Sequence, residues 1–530
     1  MITGAGEPTP SGPPTPWWRE AVVYQIYPRS FCDTRGDGVG DLDGVRRHLD
    51  HLAWLGVDAL WLSPIYRSPM ADFGYDVADH TDVDPLFGDL ATFDSLLADA
   101  HARGLRVLLD WVPNHTSDRH PWFVSARASR DSPHRDWYVW RDGAPDGGPP
   151  NAWVATFDTS RPAWTWDAAT AQWYLHLFLP QQPDLNWNHP AVEAAQLDGL
   201  RFWLDRGVDG FRADVVHLIG KDPALADDPR DSAGEPRVSF HYEPERLHPR
   251  LERIRALLDT YGGDRTMVGE INLHDSGAIA DCCAGAEHGE RLPLAFDFSL
   301  LRAPWDAGVW HDVIATNLAA YPPREAWPTW VLSNHDEPRH RTRLGSLARA
   351  RAAALVLLTL RGTPFLFAGE ELGLVDAEVA ADRRLDPGGR DGARAPIPWD
   401  PGPGHGWAGQ PWLPWPPDAA GHSAAAQRED PASTLHLYRD LLAVRRRSDA
   451  LRNGTLELHD APRGVLGLER HGDDGRWSVL VNMTETPRSV ETTGDATVVI
   501  GSDRRGEGHP FGDYLEPSQG VLLHHEAFTG

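Results

Sequence analysis

Only three cysteines, Cys32, Cys282 and Cys283, occur in the 530 residues. So few thiols build no disulfide framework, and their spacing matches no zinc-ligand pattern. Lysine is almost absent: Lys221 stands alone among basic residues that are otherwise arginine, a usage of coding bias rather than chemistry. Positive charge is also scarce overall, with 50 basic side chains against 77 acidic ones and a net charge of −27. A chain this acidic repels phosphate backbones, so nucleic acid is not an expected partner. No run reaches the ~18 to 20 apolar residues that a membrane-spanning helix needs. The Gly/Pro/Thr-rich opening Met1–Pro16 lacks the apolar centre of a signal peptide. The expectations are therefore no membrane partner and a cytoplasmic location.

The remaining composition, 41% hydrophobic and 24% charged, is that of a soluble globular protein. The length leaves room for one large domain with smaller attachments. Tryptophan is plentiful, at 23 residues. Flat apolar rings suit sugar faces but equally fill cores, so this count alone decides nothing.

Short β-branched or apolar runs recur along the chain at Ala21–Tyr27, Ala59–Leu62, Arg106–Val112, Gly207–Phe211, Thr266–Gly269, Leu294–Phe298, Trp330–Leu332 and Pro364–Phe367. Between them apolar residues repeat at helical spacing, as in Val45, Leu49, Leu52 and Leu55, or Leu251, Ile254 and Leu258. Several helical patterns stop at a glycine suited to a left-handed cap, among them Gly56, Gly104 and Gly207. Strands alternating with helices imply a parallel sheet, closed as a (β/α)8 TIM barrel or open and doubly wound.

Two intervals are too long to be simple connections. Residues 113–190, rich in Trp, Pro, Asp and Gly, read as a small inserted domain after the third strand. Residues 372–431 follow the eighth strand with a similar composition. Beyond a helix at 434–447, alternating segments such as Trp477, Val479 and Val481 mark a C-terminal antiparallel β-domain, read as a sandwich. The expected organisation is a barrel over 17–112 and 191–450, an insert over 113–190 and the β-domain over 451–530.

Carboxylates crowd the ends of the strands, where loops converge above a packed core. The third strand runs into Asp110–His115, the fourth into Gly210–Val215, the fifth ends Val268–Glu270, and the seventh runs into Ser333–Asp336. Acids desolvated in one mouth repel each other, their pKa values separate, and one can stay protonated. A protonated acid facing an ionised one is what glycosidic cleavage requires. Arg212 precedes Asp214 by two residues, so in an extended strand both side chains share a face, and its permanent charge favours an ionised Asp214.

These four motifs, in this order, resemble the conserved regions of the α-amylase superfamily, glycoside hydrolase family thirteen, and most closely its oligo-1,6-glucosidase and α-glucosidase branch. Val23–Pro28, Phe73–Asp76, Gln182–Trp187 and Arg390–Arg394 extend the similarity from about Trp17 to the C-terminus. The resemblance implies a barrel, an inserted second domain and a C-terminal β-domain. It implies Asp214 as nucleophile, Glu270 as general acid and base, and Asp336 as transition-state stabiliser. It further implies that His115 and His335 hold sugar hydroxyls, that Tyr75 stacks beneath the glucose and Phe178 supplies a second ring, and that Asp72 and Arg390 close the non-reducing end. Valine after the nucleophile goes with α-1,6 cleavage in that branch, which is the lean given by Val215 and Gln182–Trp187.

The expected activity is thus a retaining, exo-acting α-glucosidase that takes short oligosaccharides as substrate partners, needs no cofactor for catalysis, and works as a monomer or small homo-oligomer. A glucosyl transferase or isomerase of the same family is the alternative, and a non-catalytic partner protein of the same fold is a further one. Asp33–Asp41 resembles the calcium loop of this branch, with Asp33, Asp37, Asp41 and the Val39 carbonyl as ligands and Arg35 where an oxygen is expected. A structural Ca2+ and a metal-free glycine-rich turn both remain open at this point.

Overall fold

The computed structural model describes residues 15–227, 243–273, 275–283, 291–321, 326–492 and 494–525. Nearly all of the Pro/Thr-rich opening and the last five residues of the expected β-domain lie outside the described residues.

Eight parallel strands form one sheet: β1 (Val23–Ile26), β2 (Ala59–Leu62), β3 (Arg106–Trp111), β4 (Gly210–Ala213), β5 (Thr266–Glu270), β6 (Leu294–Phe296), β7 (Thr329–Val331) and β8 (Thr363–Phe367). Their spatial order, β6-β5-β4-β3-β2-β1-β8-β7, follows the chain around a nearly closed barrel. At the remaining gap the Thr329 hydroxyl of β7 donates to the Ala295 carbonyl of β6 at 2.7 Å. The fourth strand starts later than its sequence pattern suggests. Gly207, at φ +100°, turns the chain after the helix Pro190–Asp205, so extended structure begins only at Gly210.

Successive strand residues point to opposite faces, and the barrel's contents follow from that period. Val23, Ala59, Trp61, Leu108, Val268, Leu294, Phe296, Val331 and Phe365 fill the interior with one apolar cluster. Their neighbours, including Tyr24, Leu60, Leu109, Phe211 and Met267, face outward into the core shared with the helices. Gly210 is an obligatory small residue in this packing, because a Cβ there would lie 2.3 Å from the Thr266 carbonyl oxygen of β5.

Between β3 and the helix Pro190–Asp205, the chain forms a three-stranded antiparallel sheet from Trp140–Arg141, Gln172–Leu175 and Trp164–Asp167. Its core of Trp153, Trp164, Leu175 and Leu177 continues into Val215 and Leu218, immediately after β4. The insert therefore packs directly on the loop that carries Asp214.

The C-terminal strands β9 (Thr455–His459), β10 (Val465–Gly472), β11 (Gly475–Asn482), β12 (Ala496–Gly501) and β13 (Gly520–His525) make an antiparallel sheet in the order β9-β10-β11-β13-β12. One face lies against the barrel helix Leu347–Thr359, where Gly520 approaches Ala352. The other packs with Val490 and Leu515 of a two-stranded ribbon, giving the two layers of a sandwich. Two buried arginines pin the junction through backbone carbonyls. Arg445 donates to Leu358, Leu360, Leu451 and Gly362, and Arg470 donates to Thr359, Leu451 and Gly454. Among the described residues, no helix is long and apolar enough to cross a membrane.

The loop before the helix Leu42–Arg47 uses its carboxylates on backbone N–H groups. Asp33 accepts from Arg35, Gly36, Gly38 and Gly409 at 2.8 to 3.0 Å, Asp37 accepts from Val39 at 2.9 Å, and Asp41 caps the helix by accepting from Gly44 at 2.7 Å. Arg35 turns away, to the carbonyls of Pro85 and Leu86. Among the described residues, no three His, Cys, Asp or Glu side chains converge so as to hold a metal ion. The donor set fits a hydrogen-bonded turn and does not fit a calcium ligand cage. Addition of calcium or of a chelator is therefore expected to leave the melting temperature unchanged. Asp33→Ala, which strands four N–H donors, should lower stability by about 2 kcal/mol or more in urea unfolding.

Directly after β8, Glu370 and Glu371 are buried side by side, accepting from the hydroxyls of Tyr438 at 3.0 Å and Tyr24 at 2.8 Å. Burial pushes Glu370 up to about 8 and Glu371 up to about 7. The folded chain thus holds these protons more tightly than the unfolded chain, and their contribution to stability is lost progressively as pH rises from the ordinary glutamate range to about 8. Melting temperature should decline across that interval, and Glu370→Gln should flatten the decline.

Candidate active site

At the C-terminal rim the inward positions change from apolar to charged within one alternation. Leu108 gives way to Asp110 on β3, Gly210 to Arg212 and then Asp214 at β4, and Val268 to Glu270 on β5. The period of two thus delivers three acids and a guanidinium to one layer above an apolar floor. Arg212, 2% exposed, bridges all three acids. One Nη1 donates to Asp110 at 2.8 Å and to Asp214 at 2.7 Å, while Nη2 donates to Glu270. Its guanidinium also lies 5.2 Å from the Trp61 ring.

Val215, which follows Asp214, has φ +35°. A β-branched residue is strained there by roughly 1–3 kcal/mol, a conformation that persists only where surrounding structure enforces it. The turn aims the Val215 N–H at Glu270 Oε2, 3.1 Å away, so the two strand ends are tied by main chain as well as by Arg212.

Asp336, His335 and Asn334 come from the loop after β7. His335 stacks on Tyr75 at 5.4 Å and 5°, and its Nε2 lies 2.6 Å from the Tyr75 hydroxyl. The Gln25 amide donates to its Nδ1 at 2.7 Å. Burial lowers the His335 pKa to about 3, so the ring is neutral. Arg390 joins the rim across the pocket, donating to Asp72 at 2.7 Å, Asp336 at 2.8 Å and Asp386 at 2.9 Å. His115 packs against Phe178 at 5.2 Å and is held near neutral charge by burial, which lowers it to about 4.

Asp72, Tyr75, His115, Phe178, Asp214, Glu270, His335, Asp336 and Arg390 all line one cavity of about 290 Å³, with Arg212 beneath it. Asp33, Asp37, Val39 and Asp41 do not line it. The structure adds participants that the sequence motifs did not mark as site residues. Asp110 accepts from Arg212 and Tyr75, Gln182 donates to Asp72 at 3.1 Å, and Phe157 carries Arg390 over its ring at 4.7 Å. Val215, Asn272, Phe298, Arg302 and Glu337 form the opposite wall. Gln182 and Asp110 were visible within motifs. Asn272 lies in the run directly after Glu270, whereas Phe157 and Arg302 carried no local signal, because a loop of the insert and the short helix Ser299–Arg302 reach the pocket only through tertiary packing.

Carboxylates outnumber guanidiniums here, and their acidities separate. Burial raises Asp214 well above the usual carboxylate range; Arg212 opposes this, while Glu270, Asp110 and Asp336 reinforce it. Arg212 thus serves a cluster of acids rather than Asp214 alone, and Asp110 is pushed up to about 6 by burial. Burial also acts on Asp336, but contact with His335 and the charges of Arg390 and Arg394 holds it below the carboxylate range. Asp72 is lifted to about 6 by burial against the pull of Arg390. Such a cluster keeps protons available beside an ionised acid and favours positive charge developing in its midst.

Removing Arg390 would leave Asp72 buried without its cation and Asp386 with Arg394 alone. Arg390→Ala should lower unfolding free energy by about 3 kcal/mol, measured by urea denaturation, whereas Arg390→Lys should recover part of that loss.

The family model for the alpha-amylase catalytic domain matches residues 25–454. A probable alpha-glucosidase of Rhizobium meliloti is 41% identical over 514 residues, covering 90% of this chain and 91% of the relative. An oligo-1,6-glucosidase of Parageobacillus thermoglucosidasius is 37% identical over 497 residues, covering 83% of this chain and 86% of the relative. The crystal structure of an alpha-glucosyl transfer enzyme superposes with a TM-score of 0.90 at 40% identity, covering 97% of this chain and 100% of that one. By motif order, barrel architecture and extent of similarity, this chain belongs to the alpha-amylase family.

Proposed function

We propose that this protein is a retaining, exo-acting α-glucosidase that hydrolyses terminal α-linked glucose from short oligosaccharides. The observation that carries this reading is a pocket with Asp214, Glu270 and Asp336 around its base and the Asp72–Arg390 pair across one end. A cavity closed in this way accepts one sugar ring at its end, which favours release of single units. The names of the relatives, alpha-glucosidase and oligo-1,6-glucosidase, support the same class of substrate.

Asp214 attacks the anomeric carbon while Glu270 protonates the departing oxygen, and the glycosidic bond's electron pair leaves with that oxygen. Glu270, now ionised, then takes a proton from water, which displaces Asp214 and restores the original configuration. Retention needs the two carboxyls ~5–5.5 Å apart. A single guanidinium fork reaching both is consistent with that spacing. Asp336, held ionised by arginines, receives hydroxyl hydrogen bonds as the ring gains positive charge. Neutral His115 and His335 hold hydroxyls, and Tyr75, fixed by His335 and Asp110, is the platform beneath the ring. Phe178 walls the insert side. Val215 and the buried Gln182 favour α-1,6 over α-1,4 bonds. Cys32, Cys282 and Cys283 are buried thiols, which suits a cytoplasmic setting.

A second reading, glucosyl transfer, is favoured by the similarity to the alpha-glucosyl transfer enzyme. It uses the same acids, with a sugar or alcohol replacing water at the aglycone wall.

Incubation with maltose, isomaltose and an aryl α-glucoside should release glucose, first as the α anomer by NMR. Asp214→Asn should reduce turnover by at least about a thousandfold. A β anomer as first product, or undiminished turnover by the variant, would overturn the reading. Dominant transfer to an added alcohol would replace hydrolysis by the second reading.

A further inference from the structure

Glu270 is gripped unevenly. Its Oε2 receives two donors, the Arg212 guanidinium and the Val215 N–H. Its Oε1 receives one, the Asn272 amide, at 2.9 Å. An acid that protonates a leaving group needs a free position for the proton on an oxygen facing that group. Oε2 is already occupied twice, so the available position is on Oε1, beside the Asn272 contact.

Asn272 is itself oriented from behind. Its Oδ1 accepts from Arg302 Nη2 at 3.5 Å, and Arg302 Nε lies 3.8 Å from Glu337 Oε1. The Glu337 backbone N–H, with that of Asp336, donates to Asn334 Oδ1 at 2.9 Å. The chain of contacts therefore runs from the loop after β7, through the loop after β6, to the end of β5. All of these side chains stand on the aglycone wall, where a bound leaving group would cover them and strengthen the contacts by excluding water.

We propose that Asn272 is a positioning residue that fixes Oε1 as the proton-bearing oxygen of Glu270, with Arg302 holding the amide in place. This rests on Glu270 being the acid and base. In the first step the proton passes from Oε1 to the glycosidic oxygen as the bond to the sugar breaks. In the second, Oε1 receives a proton from water. Asn272 supplies no proton in either step; it occupies one site on Oε1 so that the other points at the bond being cleaved. A hydrogen-bond donor on a carboxylate also favours its charged form, so loss of Asn272 delays deprotonation as pH rises.

The test compares pH profiles of kcat/KM for isomaltose and for an aryl α-glucoside whose phenolate leaves without protonation. Asn272→Ala should move the alkaline limb to higher pH and lower kcat for isomaltose by about tenfold with little change in KM. The aryl substrate, which needs no acid, should lose less than about threefold. Asn272→Gln should recover part of the loss, and Arg302→Lys, which keeps the charge but not the fork, should shift the limb in the same direction by less. Equal losses on both substrates with an unmoved alkaline limb would overturn the proposal. Absence of turnover by the unaltered chain on every α-glucoside would overturn the glucosidase reading and this proposal with it.

Discussion

A single guanidinium, buried at the top of an apolar barrel, holds three acids that would otherwise repel one another. Asp110, Asp214 and Glu270 arrive from β3, β4 and β5, and Arg212 is paired with each of them. Placing several carboxyls out of water is costly unless they are paired and hydrogen-bonded. The surroundings of Arg212 are arranged accordingly, with Trp61 against its face, Tyr75 capping Asp110 and the Val215 N–H completing Glu270. The strained turn at Val215 is tolerated because the insert packs on that residue from the other side. Barrel, insert and acids are in this sense one construction built around a shared cation.

The same arrangement explains why the acids differ in character although all are buried. Asp336 sits against Arg390 and Arg394 and stays charged, whereas Asp214 and Asp110 share one cation with Glu270, and burial raises both against the pull of that cation. Neutral histidines add hydrogen-bonding capacity without adding positive charge that would oppose an oxocarbenium-like transition state. The pocket thereby combines a proton source, an ionised partner and a net negative field in a space that suits one sugar ring.

Much of this was legible in the chain, for a definite reason. Strand-end residues inherit their direction from a period of two, so Arg212 and Asp214 could be assigned to one face from spacing alone, and the eight apolar runs correspond to the eight barrel strands. Gly207 illustrates where such reading slips: a residue able to end a helix looks locally like the start of a strand, and only its left-handed conformation separates the two. Loop residues have no comparable period. Phe157, Asp386 and Arg302 reach the site from segments whose paths depend on distant packing. The Asp33–Asp41 loop shows why a motif can leave two readings open: alternating acids and glycines suit a calcium loop and are equally the pattern of a turn in which carboxylates satisfy main-chain donors.

The two ends of the pocket are built from different parts of the chain. The closed end draws on loops after β2 and β8, on the insert and on His335 and Asp336, while the open end draws on Asn272, Arg302 and Glu337 from the segments after β5, β6 and β7. Changes that remodel the entrance need not disturb the ring-sized recess, nor the cation at its foot. Recognition of the sugar being cleaved and choice of the molecule that receives it can therefore drift separately under selection. A lineage holding its glucose chemistry constant could move between water and other acceptors by altering a handful of side chains on one rim.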